Sequence, residues 1–245
     1  MKQVIIIILL LLPLTVSAQV GEHRSDFAIG VNGGYILSNV DFSPTVKQGF
    51  HGGGTFGMSF RYTCEKYFST VCSIMGEVNY ASIGWKEKIR TALDAPVMGD
   101  RGVAERYERT INYVQVPVFA HLAWGKERQG FAAFLNLGPQ FGFYLSDNIS
   151  KNYDEPNISG DGCRGNTVTY QETQPIDKKF DYGIAVGLGG EYSHHRMGHF
   201  LLEARYYYGL ANIFNDSKRD YFGNSRFGNI VVKASYLFDL TKSKK

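Results

Sequence analysis

The stretch HHRMGH brings His194, His195 and His199 close together in the chain. Imidazoles so placed raise the question of a metal site. On a helix, His195 and His199 would share one face, as the ligand pairs of zinc sites do. Here they fall between two alternating segments, where a polar turn is expected and the spacing carries no ligand geometry. The three cysteines, Cys64, Cys72 and Cys163, stand in no zinc-like spacing with them. His121 sits where it could meet a carboxylate, but no serine partner can be placed from spacing. The chain holds no nucleophile-elbow or phosphate-loop motif. No catalytic residue, metal ligand or cofactor is expected, and the chain does not read as an enzyme.

The charged residues are more informative. Arg61, Glu77, Glu191, Glu203, Arg205 and Lys233 each fall, within an alternating segment, on the parity opposite to the aliphatic residues. Charges of both signs brought into a narrow, partly dry space pair with one another, because unpaired burial is expensive. Such a set makes either a salt-bridged plug or a path for protons or ions. The plug is the expected reading.

Alternation shows which elements could hold these six residues together. NYVQVPVFAHLAW, residues 112–124, puts Val114, Val116, Val118, Ala120, Leu122 and Trp124 on one parity. Tyr113, Gln115, Pro117, Phe119 and His121 take the other. This pattern marks a strand whose two faces meet different surroundings. Eight such segments can be counted: 27–36, 52–62, 70–85, 112–124, 131–145, 180–192, 199–210 and 227–240. Gly30, Asn32 and Gly34, then Gly183, Ala185, Gly187 and Gly189, form thin inner walls that leave room for Tyr113, Phe119, Phe134 and Tyr207. Pro117 cannot donate to a ladder, so a bulge is expected there, and a bulge would flip the parity that sets Phe119 and His121 inward.

The connections 37–51, 63–69, 86–109, 125–130, 146–179, 193–198 and 211–226 run alternately long and short. A soluble sandwich, or a secreted barrel of lipocalin type, has no reason to sort its loops so. An outer-membrane barrel does. The fold class is therefore all-β: an eight-stranded antiparallel up-and-down transmembrane β-barrel with short periplasmic turns, long extracellular loops and both termini in the periplasm. Eight strands enclose a lumen that side chains can fill, so a diffusion porin is excluded. Trp85, Trp124, Tyr206, Tyr236 and Phe238 lie at or near strand ends and read as interface aromatics.

The ends and composition agree. MKQVIIIILLLLPLTVSAQV has a short positive n-region, an apolar run and small residues before Gln19. It reads as a signal peptide over 1–18, leaving a barrel domain at 19–245. A membrane anchor would need about 20 apolar residues. The net charge of +3 is spread without blocks, which gives no nucleic-acid surface. Mean hydropathy is −0.20, compatible with a barrel in which only half of each strand meets lipid. Cys64 and Cys72 lie symmetrically about the turn within 63–69 and could face each other across the hairpin as a disulfide, if the register allows. The expected partners are outer-membrane lipid, the barrel-assembly machinery during insertion, and other envelope or secretion proteins. Any partner binding falls on the long loops 86–109 and 146–179.

In order along the chain come a leader ending in Ala-Gln, then GEVNYASIGW, NYVQVPVFAHLAW, FLNLGPQFGFYLS, FDYGIAVGLGGEY and LEARYYYGLANI. Together they resemble the PorT-type outer-membrane β-barrel proteins of the Bacteroidetes, over 27–238. The resemblance implies an eight-stranded barrel, and the family's named member takes part in protein export by a Bacteroidetes-specific secretion system. Two function classes stand. One is a structural or secretion-associated barrel acting through its loops or periplasmic turns. The other is a narrow lumen that binds or passes a small solute.

Overall fold

The computed structural model describes residues 21–99, 102–126 and 129–242; the leader expected over 1–18 lies outside them. The strands are β1 (Glu22–Ser43), β2 (Gln48–Gly49), β3 (His51–Tyr67), β4 (Thr70–Glu87), β5 (Tyr107–Gly125), β6 (Gly130–Lys151), β7 (Phe180–His194), β8 (Gly198–Gly209) and β9 (Asn224–Thr241). A single helical turn, α1 (Tyr170–Thr173), sits in the β6–β7 loop. Apart from the two-residue β2, which pairs only with the end of β4, each strand is antiparallel to both neighbours. β1 pairs with β9 and β4 with β5, so the sheet closes as an eight-stranded meander.

The register fixes the shape. From Leu202, pairs run through Ala234, Gly33, Phe56, Tyr80, Val114 and Phe143 to Phe180 on β7. In the other direction Leu202 pairs directly with Gly190. The two arrivals on β7, at residues 180 and 190, differ by ten positions, which is the stagger of the closed sheet. With the usual strand rise and spacing, it tilts the strands by roughly 40° to the barrel axis.

Alternation decides what each face meets. Val31, Phe56, Met58, Ile74, Val78, Leu137, Ile184, Leu188, Leu202 and Val232 point outward, each at least 48% exposed. Inward lie both polar and bulky residues, among them Asn32, Glu77, Phe119, Phe134, Arg205 and Tyr207, all buried. No helix among the described residues is long and apolar enough to cross a membrane; strands are the crossing elements. The observed strands outrun the alternating segments, β1 reaching Ser43 and β6 reaching Lys151. Beyond the apolar belt the ladder continues, but lipid no longer imposes an apolar parity, so the sequence signal fades before the strand ends.

Three expectations need correction. Pro117 does not flip the parity: Phe119 and His121 remain inward, each 1% exposed. The β4–β5 ladder omits the pairings at Pro117 and Val116, and the β5–β6 ladder omits those of Val118 and Phe119 opposite Pro139 and Gly138. Register is the same on either side of both gaps, so missing donors are absorbed by local gaps rather than an inserted residue. The bulge on β5–β6 instead falls at Asn112/Tyr113, where Leu145 is the extra residue. Trp85 is not an interface aromatic: it is fully buried inside the barrel. It lies an even number of residues from Glu77 and so must share that face. Cys64 and Cys72 are free thiols. Cys72 pairs with Glu65, Ser73 pairs with Thr63, and Cys64 is the bulge residue between them.

Candidate functional site

The lumen has three storeys. In the middle, Arg205 reaches both oxygens of Glu77 (3.1 Å each) and both of Glu203 (3.0 and 2.8 Å). Lys233 also bonds Glu77. These side chains come from β4, β8 and β9, and each is at most 4% exposed. The Arg205 guanidinium lies over the Phe119 ring at 4.3 Å. Asn79 donates to Glu77 and Asn32 to Asn79, both at 2.8 Å. Two cations and two carboxylates thus satisfy one another in a space with little water, the condition under which a buried ionic cluster is tolerated. Glycine makes the room. A Cβ at Gly187 would stand 2.0 Å from Glu203 Oε1, and one at Gly189 would stand 2.3 Å from Phe134.

The outer storey is apolar and is closed by the long loops. Phe42, Trp85, Phe214 and Phe222 pack at ring separations of 5.0–6.3 Å, with Ile36, Val40, Ile83 and Ile213 buried in the same cluster. Above them Arg164, only 4% exposed, bonds Glu105 (2.7 Å) and Glu172. Its guanidinium lies 4.7 Å from the Tyr153 ring, and Tyr153 donates to Glu172 (2.6 Å). Glu87, at the end of β4, accepts from Gln171 of α1 (2.9 Å). Lys86 beside it points outward and is exposed, which puts this level beyond the apolar belt. Burial pushes the Glu87 carboxyl up to about 7; the Gln171 bond opposes the rise and nearby Glu172 adds to it.

The inner storey is a cavity of about 200 Å³, open at the end of the short turns. Arg61 donates to both oxygens of Glu191 (2.8 and 2.9 Å). His199 Nδ1 faces Glu191 at 2.6 Å, and its Nε2 faces Asp239 at 3.0 Å. Ser193 Oγ is 2.8 Å from His199 Nδ1, so Ser193, His199 and Asp239 form a line like that of serine hydrolases. It differs from that line in having a second carboxylate: Glu191 and Asp239 both favour the cationic imidazole, a form that cannot take a proton from serine, and Ser193 donates to Glu191 (3.2 Å). The arrangement is an ionic clamp on the ends of β7, β8 and β9. Among the described residues no His/Cys/Asp/Glu group could hold a metal ion.

All six charged residues picked out in the sequence therefore point inward, but in two groups. Arg61 and Glu191 lie at the inner mouth, whereas Glu77, Glu203, Arg205 and Lys233 lie in the middle. His121 and Asn136 bridge them: His121 Nδ1 meets Asn136 Oδ1 at 2.7 Å, and Asn136 Nδ2 donates to Glu203 at 3.0 Å. Trp124, Tyr206, Tyr236 and Phe238 lie outward, 36–51% exposed. His194 is the last residue of β7 and His195 lies in the turn, while His199 is in β8. Sequence reasoning missed the roles of His199 and Asp239, although they share the parity of Glu203 and Lys233. It also missed the cluster around Arg164, for which no local signal exists.

Residues 17–215 match the family model for the outer membrane protein beta-barrel domain. A comparison with curated proteins gives no match. Among solved structures, the chain is similar to the outer membrane protein OprG from Pseudomonas aeruginosa (TM-score 0.37, 11% identity, 89% of this chain and 98% of that one). It is also similar to Neisserial surface protein A (0.37, 14%, 89% and 100%). A third is Ail of Yersinia pestis in complex with the heparin analogue sucrose octasulfate (0.33, 13%, 87% and 99%). The fold assignment rests on the closed register and the family model, not on these distant neighbours.

Proposed function

The chain belongs to the outer membrane protein beta-barrel domain family, and we propose that it works as a closed barrel, through its outer loops and inner turns rather than through a pore. The supporting observation is the Glu77–Arg205–Glu203–Lys233 cluster, which fills the lumen from wall to wall with mutually satisfied charges. The apolar cluster around Trp85 closes the outer end above it. Passage of a solute would have to break both. In this reading both termini lie in the periplasm, on the side of the short β3–β4, β5–β6 and β7–β8 connections. Lipid surrounds the belt, and the assembly machinery reads the outward Tyr236 and Phe238 of the last strand.

A part in protein secretion is the finer reading, carried by the PorT-type resemblance alone. Deletion of the gene, followed by a comparison of proteins in the medium, would decide it. The closed state is tested by reconstitution in a planar bilayer. No conductance steps are expected from a preparation that shows a mobility shift on boiling; regular steps from the same preparation would overturn the closed-barrel reading.

A further inference from the structure

We propose that the cavity at the inner mouth is a binding site for a small aliphatic carboxylate, its charged end on Arg61 and its hydrocarbon against Val71, Ala123 and Ala132. At about 200 Å³ the cavity is smaller than the roughly 300–1,000 Å³ of sites that take drug-sized ligands, so its occupant is small. Its floor is built rather than incidental: Arg61, His121 and Glu191 are 6%, 1% and 4% exposed. Arg61 uses only Nη1 on Glu191. The rest of its planar fork is left for a second acceptor, and a carboxylate matches that geometry.

His121 supplies the independent sign of a ligand. Asn136 donates its amide to Glu203, so its carbonyl oxygen must accept, and His121 Nδ1 carries the hydrogen between them. His121 Nε2 is then the uncommitted atom. It is buried without a hydrogen-bond partner, and at 3.6 Å from Glu191 it is beyond hydrogen-bond reach. A buried polar atom left so is costly. A bound carboxylate satisfies it when Nε2 takes up a proton, Nε2–H then donating to the carboxylate.

Charge points the same way. The lining carries four cationic groups, Arg61, Lys126, Lys242 and the clamped His199, against three acidic ones, Asp26, Glu191 and Asp239. A carboxylate therefore enters a lining that has no acidic excess. Glu191 would repel it, but both Glu191 oxygens already accept from Arg61, and one also faces His199 and Ser193. Since the storeys above are filled, the site takes its ligand from the periplasmic side and holds it there.

The test titrates hexanoate into the refolded barrel in lipid nanodiscs, with ¹⁵N-labelled histidine, against hexylamine, hexanol and inorganic phosphate, empty nanodiscs serving for partition. A saturable shift of the His121 imidazole resonances with hexanoate is expected, and none with hexylamine. Arg61→Gln should weaken binding by about tenfold or more, the worth of a charged hydrogen bond. That variant leaves Glu191 short of a partner, so Ala123→Phe is the second arm. It fills the cavity, keeps every charge, and should abolish the shift while the mobility change on boiling persists. No saturable shift, an equal response to hexylamine or phosphate, or an unchanged response in Ala123→Phe overturns the proposal.

Discussion

The two mouths of the barrel are finished in opposite ways. At the outer end, loops of 19, 28 and 14 residues (88–106, 152–179 and 210–223) have chain to spare. The first two lay paired ionic groups over the lumen, and the third brings Phe214 and Phe222 onto Phe42 and Trp85 in an aromatic cluster. At the inner end the turn at 68–69 has nothing to fold back, and the lumen ends in a cavity edged by His199, Asp239 and Lys242. The difference shows that strand count sets the width of the lumen but loop length decides which end is sealed. A family of identical barrels could be capped, open or receptive at either face by changing loops alone, because the strands below need only keep their parity.

The largest expected effect belongs to neither mouth. Glu77→Ala leaves Arg205 and Lys233 buried with one acidic partner, Glu203, between them. Breaking a buried ionic cluster from one side costs about 3–5 kcal/mol. Urea unfolding monitored at both ends should show one cooperative loss. If only one mouth loosened, the middle would not be their common support, and the three storeys would be independent.

Trp85→Ala should come next and should separate the ends. Removing a fully buried Trp costs about 3–5 kcal/mol in a rigid core, with a value near the lower end expected where loops can settle into the gap. Amide exchange should rise in 210–223 and around Ile111, while the His121 and His199 resonances stay where they are. A matching change at the inner mouth would mean that the cap braces the whole barrel.

A pH series sharpens the contrast further, because the cap contains a carboxyl that ionises near neutrality. Glu87 stands at about 7 in the folded cap against an ordinary 4.5. A raised carboxyl means that the folded cap binds the proton more tightly. Its contribution is full below the ordinary value and is lost as pH rises through 7. Protease nicking within 152–179 should therefore increase between about pH 5 and 8, and Glu87→Gln should flatten the profile. A rise undiminished in Glu87→Gln would place the sensitivity elsewhere in the cap.

How much of this was legible in the sequence differs between the mouths and the wall. The wall was readable because lipid enforces a period of two: Val78 outward and Glu77 inward follow from neighbours alone. Trp85 went wrong because its position at a segment end was weighed above its parity with Glu77, and parity is the stricter constraint. The cap was illegible for another reason. Phe42, Trp85, Phe214 and Phe222 come from two strands and a distant loop, and nothing local marks a residue such as Arg164 as buried when it sits in a stretch rich in Gly, Asn and Asp. The inner clamp lies between these cases. His199 and Asp239 are 40 positions apart, yet both have inward parity on neighbouring strands, so the register of β8 on β9 would have brought them together had it been known.

The smallest perturbation of all uses the cysteines the chain already has. Cys163 lies in the long loop between β6 and β7, while Cys64 and Cys72 lie on the β3–β4 hairpin at the opposite end; all three are free and partly exposed. A membrane-impermeant maleimide applied to intact cells should therefore reach Cys163 alone, and Cys163→Ser should remove that signal without touching stability. After the outer membrane is opened, Cys64 and Cys72 should label as well, without prior reduction. Labelling of the hairpin pair on intact cells would invert the barrel and put the clamped cavity outside. Labelling only after reduction would mean that the two thiols are joined, which requires a register in which Cys64, and not Glu65, stands opposite Cys72.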